Sequence, residues 1–351
     1  MKTKRFIAAV ISSILIMTAC TNTVGNTPSQ KSQEASSDIS DASAAVSTGS
    51  EEENPITPGN SDNYNSSEEI TDVSDLSSAI EEPSESAALP EVFDTPECRS
   101  SILYCVEDDR ILYNDSIDVK TAPASITKML TASVVLKNME PDDVIQVGSE
   151  LELIDAESSR CYISYGQRLT VEDLLTGMLL CSGNDAAYTA AVNTARAVHP
   201  DKYLSDAEAV KIFVQMMNET AAEIGMTDSR FMTPDGWDND AQYVTAADLV
   251  KLAGYALSVP EIRSIVGTYE KYVVFESGEN ITWTNTNCLL DPDSEFYCEN
   301  AIGIKTGTTD DAGACLLSAF EKNGKTYIAA VLGCSENSDR YELTLKLFDL
   351  I

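Results

Sequence analysis

Pro123-Ala124-Ser125-Ile126-Thr127-Lys128-Met129-Leu130-Thr131-Ala132-Ser133-Val134-Val135-Leu136 reads as one helix, from about Ala124 to Lys137, with Pro123 suited to its first turn. Its side chains are apolar or small on almost every face. A helix of that kind is buried in the middle of a domain, with other elements packed around it. Lys128 is then a cation placed where water does not reach, which is costly unless the amine has a partner or a task. Ser125 lies three residues earlier on the same face, within reach of that amine. A hydroxyl beside a desolvated amine is what a nucleophile and its base require, and it needs no imidazole. That matters here, because the chain of 351 residues holds a single histidine, His199. A Ser-His-Asp triad would have to run through that residue, and a zinc site of two or three imidazoles cannot be built.

Working outward, the chain before this helix reads as a hairpin, with Ile102 to Val106 and Ile111 to Tyr113 joined by an acidic turn at Glu107-Asp108-Asp109. After it the chain turns helical. Thr170 and Asp173 resemble a capping box leading into Leu174-Leu175-Thr176-Gly177-Met178-Leu179-Leu180, and another helix starts with Ala186-Ala187-Tyr188. Further helices fit Ala207 to Ile224 and Ala246 to Leu257, the latter behind Thr245 and Asp248. Between two of these helices stands Cys181-Ser182-Gly183-Asn184-Asp185. It reads either as a helix stop followed by an N-cap, or as a serine and a carboxamide pointing together into a cleft. Strands return with Ala301 to Thr309, Ala314 to Phe320 and Thr326 to Gly333, the last two joined across Asn323-Gly324, a strong hairpin signal. Gly307 beside Thr306 would let a ligand backbone approach a strand edge, and Lys305 adds what reads as a fixed positive charge. A final helix runs from about Asp339 to Leu350.

Three short motifs in order, Ser-x-x-Lys at 125 to 128, Ser-Gly-Asn at 182 to 184 and Lys-Thr-Gly at 305 to 307, resemble the signature of the penicillin-binding protein and serine β-lactamase superfamily. The flanking residues Pro123 to Met129, Leu174-Leu175 before Cys181 to Ala187, and Gly303 to Gly307 narrow the likeness to low-molecular-mass D-alanyl-D-alanine carboxypeptidases. It covers nearly all of Cys98 to Ile351. The resemblance implies an α/β fold of the β-lactamase and transpeptidase type: an antiparallel sheet of N- and C-terminal strands flanked by helices, with a mainly helical subdomain carrying Ser-Gly-Asn. The cleft would lie between the two parts.

It also implies roles. Ser125 would attack the carbonyl between two D-alanines, releasing the terminal D-alanine of a peptidoglycan stem pentapeptide through an acyl-enzyme that penicillins also form. Lys128 would be its base, with desolvation and the charge of Lys305 lowering its pKa. Ser182 would relay the proton to the departing amine, and Asn184 would hold the peptide. The backbone N–H groups of Ser125 and Thr308 would form the oxyanion hole, with Gly307 leaving space for the substrate and Thr306 binding the terminal carboxylate. Arg340 has two readings, a surface arginine at a helix end or an aid to carboxylate recognition. No cofactor and no metal is implied. The partners implied are peptidoglycan stem peptides, β-lactams and, through a lipid, the membrane.

This sequence departs from the family at Asp235, where histidine is frequent, at Trp237, where leucine is frequent, and at Thr308, where a larger aromatic or histidine is common. Neither the β-domain nor the C-terminal amphipathic anchor of many members is expected. Two other activities share the motifs. A serine β-lactamase would need a deacylating carboxylate, for which Glu219 and Glu223 offer only an ordinary amphipathic helix. A non-catalytic acyl-binding sensor would be coupled to a transmembrane segment.

The N-terminus reads differently. Lys2, Lys4 and Arg5 precede an apolar run, Phe6 to Met17, too short to span a bilayer and broken only by Ser12 and Ser13. It ends in Met17-Thr18-Ala19-Cys20, which resembles the lipobox of bacterial lipoproteins. That implies a signal peptide over 1–19, cleavage before Cys20, lipidation of Cys20 and an extracytoplasmic, membrane-anchored location; an ordinary signal peptide is the plainer alternative. From Thr21 to Glu97 there are 17 acidic side chains and one basic, Lys31. A segment so charged and so poor in large apolar residues is expected to be a disordered tether over 20–97, spanning roughly 45 to 50 Å or more. The catalytic domain is then 98–351, whose 19 basic and 40 acidic side chains leave it at −21 within a whole-chain charge of −34. Such a field nearly excludes nucleic acid as a partner. Eight cysteines remain after Cys20. A Cys315–Cys334 bridge lies near the register of the Asn-Gly hairpin without being required by it, and free thiols are the alternative.

Overall fold

The computed structural model describes residues 96–351. The expected signal peptide, Cys20 and nearly all of the acidic tether lie outside the described residues. In chain order the elements are β1 (Ser100–Cys105), β2 (Arg110–Asp115), a 3-10 turn (Ala124–Ile126), α1 (Thr127–Asn138), β3 (Val144–Gln146), β4 (Arg168–Thr170), α2 (Val171–Leu180), α3 (Asn184–Val198) and α4 (Asp206–Glu223). They continue with α5 (Ala246–Leu257), α6 (Pro260–Val266), β5 (Glu270–Val274), β6 (Asn280–Thr284), β7 (Ala301–Thr309), β8 (Gly313–Lys322), β9 (Lys325–Cys334) and α7 (Asn337–Phe348).

Five strands form one antiparallel sheet in the order β2-β1-β9-β8-β7, so the strands from the two ends of the domain meet at its centre. The expected Asn-Gly hairpin is there, with Lys322 opposite Lys325. Along β8 successive side chains face opposite ways. Leu316 and Phe320 pack with Tyr341, Leu343 and Leu347 of α7, whereas Cys315, Leu317 and Ala319 join the larger core. Both faces of the sheet are therefore covered, which is why β8 and β9 read as nearly continuous apolar runs.

Helix α1 is the hub expected of an all-round apolar segment: Thr127 through Val135 are all buried, and it packs against α2, α3, α4 and α5. The helix does not begin as a regular α-helix at Ala124, however. Ala124 has φ +47°, and Ser125 sits on a 3-10 turn before α1 proper. Gly236 lets the loop pack against this turn, since a Cβ there would lie 1.8 Å from the Ala124 carbonyl oxygen; with φ +88° only glycine suits the position.

Caps hold the helical part. Thr170 accepts from Asp173 N at 3.1 Å, Thr245 accepts from Asp248 N at 3.2 Å, and Ser205 and Glu208 form a reciprocal capping box. No helix among the described residues is long and apolar enough to cross a membrane. Cys334 is bonded to Cys98, 236 residues away, and Cys315 is a free thiol. A register shift between Ala314 and Leu316 places Ala314, not Cys315, opposite Cys334. Cys315 Sγ accepts from Gly333 N at 3.4 Å instead.

Candidate active site

The Lys-Thr-Gly strand lies at the sheet edge against the Ser125 turn, and α2 and α3, which flank Ser-Gly-Asn, pack on α1. Ser125 is half-buried on its 3-10 turn, and Lys128 is fully buried one turn later. Lys128 Nζ donates to Ser125 Oγ at 2.8 Å and to the main-chain oxygen of Asp235 at 2.8 Å. Burial lowers the Lys128 pKa to about 8, against the opposing pull of Asp235, Asp185 and Cys161. Lys128 and the buried Lys305 also repel one another.

Strand β7 passes directly beside the nucleophile. A Cβ on Gly307 would lie 3.0 Å from Ala124 Cβ and 3.2 Å from Ser125 N, so glycine is needed for strand and turn to approach this closely. Lys305 is 1% exposed and donates to Thr306 O at 3.2 Å. Burial first, then Lys128 and Arg340, push its pKa well below the ordinary lysine range. Arg340 stands beside it as a second buried basic side chain. Arg340 is 8% exposed, not the surface residue of the alternative reading. Its Nη1 donates to Gly307 O at 3.1 Å, Thr308 Oγ1 at 3.0 Å and Cys315 O at 3.3 Å. Thr308 itself is exposed, and Thr306 Oγ1 shares a hydrogen bond with Thr286 Oγ1 at 2.6 Å.

Ser-Gly-Asn is the helix junction its sequence suggested. It ends α2 and starts α3, with Ser182 in the left-handed region at φ +60°. Ser182 and Asn184 are 8% and 3% exposed, and Asn184 Oδ1 has no partner, a buried acceptor left for a ligand to satisfy. A residue the sequence reading passed over holds this turn. Asp185 accepts from the N–H groups of Cys161 (2.9 Å), Tyr162 (2.8 Å), Ile163 (3.2 Å) and Ala186 (2.9 Å). Ser159 adds two ties, its Oγ donating to Ser182 O at 2.6 Å and its O accepting from Asn184 N at 2.8 Å. An acid in the first turn of a helix of small residues was the available signal for Asp185. The loop with the unusual Asp235 acts through its backbone: besides the Lys128 contact, Pro234 O accepts from Thr131 Oγ1 at 2.6 Å.

Such a site joins a hydroxyl nucleophile to an amine that titrates near neutrality, a second serine and carboxamide on a rigid turn, and a glycine-bearing strand edge braced by arginine. That set suits acyl transfer. Comparison with known proteins agrees. Residues 87–336 match the profile of the family described as Peptidase S11, D-alanyl-D-alanine carboxypeptidase. A D-alanyl-D-alanine carboxypeptidase of Streptomyces sp. strain K15 is 35% identical over 233 residues, covering 63% of this chain and 75% of that protein. The carboxypeptidase DacF of Bacillus subtilis is 28% identical over 256 residues, covering 72% of this chain and 61% of that protein. The chain thus spans about six tenths of the length of that relative. Among solved structures, the DD-transpeptidase of Streptomyces K15 superposes with a TM-score of 0.66 at 30% identity, covering 74% of this chain and 98% of that one. Penicillin-binding protein D2 of Listeria monocytogenes, in its ampicillin-bound form, superposes with a TM-score of 0.60 at 26% identity, covering 75% and 99%.

Proposed function

The chain belongs to the D-alanyl-D-alanine carboxypeptidase family, Peptidase S11, and from that premise we propose that it is a serine-type hydrolase releasing the terminal D-alanine of peptidoglycan stem pentapeptides. The observation that carries the reading is the 2.8 Å contact between Ser125 Oγ and a buried Lys128 amine whose pKa lies about 8. The neutral amine takes the Ser125 proton as Oγ attacks the penultimate D-alanine carbonyl. Negative charge on the former carbonyl oxygen is held by the N–H groups of Ser125 and Thr308. The C–N bond then breaks as the proton on Lys128 is relayed through the Ser182 hydroxyl to the departing amine, which restores both groups, and D-alanine leaves. Water attacks the acyl ester, Lys128 again takes a proton and gives it to Ser125 Oγ as the ester C–O bond breaks, and Ser125 is regenerated. Asn184, with its unpaired buried oxygen, holds the peptide, while Lys305, Thr306 and Gly307 line the strand edge and Arg340 braces Thr308 at the carboxylate end. Penicillins, as strained amides with a carboxylate, acylate the same serine.

A serine β-lactamase fits less well. Glu219 is exposed and bonded to Gln215 at 2.7 Å, and Glu223 is exposed and paired with Lys137. Both carboxylates are engaged away from Ser125.

We further propose that the mature chain is a lipoprotein held outside the cell through Cys20 and its acidic tether. The support is the basic, apolar and small-residue order before Cys20, together with the Cys98–Cys334 disulfide, which suits an exported protein.

The decisive experiment treats the purified protein with a fluorescent penicillin and, separately, with diacetyl-Lys-D-Ala-D-Ala. Covalent label on Ser125, lost in Ser125→Ala, and release of free D-alanine are expected. Label on Ser182, or peptide left intact by a protein that takes the label, would sink the reading.

A further inference from the structure

Thr286 ties together the end of α2, strand β7 and α7, although it belongs to none of the three motifs. It follows β6 between two buried asparagines whose side-chain oxygens bind the local backbone. Asn285 Oδ1 accepts from Asn287 N at 3.0 Å and its Nδ2 donates to Thr268 O at 3.0 Å, while Asn287 Oδ1 accepts from Leu289 N at 3.1 Å. The Thr286 backbone is saturated as well. Its N–H donates to Leu180 O, at the end of α2 just before Cys181 and Ser182, at 3.1 Å. Its carbonyl accepts from Tyr341 Oη, on α7 beside Arg340, at 3.2 Å. A residue pinned on both sides in this way has an exposed side chain with one hydrogen-bond contact, the 2.6 Å bond to Thr306 Oγ1.

We propose that Thr286 is a positioning and specificity-determining residue for the substrate's terminal carboxylate, acting through the Thr306 hydroxyl; this rests on the carboxypeptidase reading given above. A hydroxyl has one proton and two lone pairs. With Thr286 donating to a lone pair of Thr306, the Thr306 proton turns away from Thr286, towards the open edge of β7, and polarisation along the pair makes it a better donor to an anionic oxygen. Without Thr286 the Thr306 hydroxyl keeps its proton and loses its direction. Fixing the rotor before substrate arrives removes an ordering cost from binding, so the effect belongs in KM more than in kcat.

Steady-state hydrolysis of diacetyl-Lys-D-Ala-D-Ala by wild-type protein, Thr286→Val and Thr286→Ser tests this. Valine keeps the shape and removes the hydroxyl; it should raise KM about 3- to 10-fold, the scale of one neutral hydrogen bond, with kcat changed less than about twofold. Serine should restore KM. On the same peptide with its terminal carboxylate amidated, wild type and Thr286→Val should have equal kcat/KM, because the anion that Thr306 serves is gone. An unchanged KM in the valine variant, an equal loss on both peptides, or failure of serine to rescue would overturn the proposal. If wild-type protein hydrolyses neither peptide, the carboxypeptidase reading fails on its own. Second-order acylation by benzylpenicillin, which carries a carboxylate, then decides Thr286: the valine variant must be slower by the same 3- to 10-fold, and equal rates would refute it.

Discussion

The buried amine of Lys128 sets a pH dependence that can be worked out before any measurement. Its pKa falls from the ordinary 10.5 to about 8, with burial as the largest cause. At pH 7 an ordinary lysine would be neutral in about one molecule in 3,000, whereas Lys128 is neutral in about one in eleven. If that neutral fraction limits attack by Ser125, acylation should rise about tenfold from pH 6 to 7, about fivefold from 7 to 8, less than twofold from 8 to 9, and then level. The same shift has a sign in stability. Between pH 8 and 10.5 the unfolded chain binds the proton that the folded one has lost, so stability rises with pH across that window and the full cost, about 3 kcal/mol, is present at pH 7. Lys128→Met should therefore lower acylation about 10²- to 10⁴-fold while leaving the protein at least as stable at pH 7. The assay is stopped-flow acylation by a fluorescent penicillin over pH 6 to 10, with urea unfolding at pH 7. A flat or falling rate profile, a midpoint near 10.5, or a methionine variant that acylates at the wild-type rate would refute the reasoning.

Three further perturbations read out other parts of the site. Gly236→Ala would place a Cβ 1.8 Å from the Ala124 carbonyl oxygen at a φ of +88°, and should cost more than about 3 kcal/mol in urea unfolding and slow acylation through the displaced Ser125 turn. Asp185→Asn would turn an amide N–H₂ towards backbone donors that now point at a carboxylate; a loss of about 2–4 kcal/mol is expected, and wild-type stability would show the loop is held otherwise. Cys20→Ala should abolish incorporation of labelled fatty acid and release the chain from membranes, while a protein starting near Thr95 should keep peptide hydrolysis; continued lipidation, or a folded but inactive domain, would count against the anchor.

The parts of this molecule legible in its sequence are those set by local chemistry or by period. Helix α1 could be read because a segment without a polar face has only one place to go, and the β8–β9 hairpin because Asn323-Gly324 sits between apolar runs. Ser125 and Lys128 could be paired because three residues make one turn. Long-range approach left no such mark. The β5–β6 hairpin and the short α6 went unread, since their exposed strands and seven-residue helix have weak periodicity. The partner of Cys334 comes from the other end of the domain, across the β1–β9 pairing, while hairpin register alone left a Cys315 bridge open without requiring it. Asp185 meets backbone groups of a distant loop and Thr286 meets a hydroxyl on a strand twenty residues on, so nothing in their neighbouring residues announces them. Arg340 was ambiguous for a similar reason: a charged residue near a helix start looks solvated until a strand is laid beside it.

The Cys98–Cys334 disulfide makes most of the described chain a covalent ring. Ser125, Lys128, Ser182, Asn184 and the Lys-Thr-Gly strand all lie inside it, and only Arg340, with the rest of α7, trails beyond. A protease that cuts one loop anywhere from Arg99 to Gly333 opens this ring without dividing it. The nicked protein therefore keeps its mass in a non-reducing gel and separates into two pieces only when a thiol is added. A single cut thus leaves every motif bonded to the same molecule.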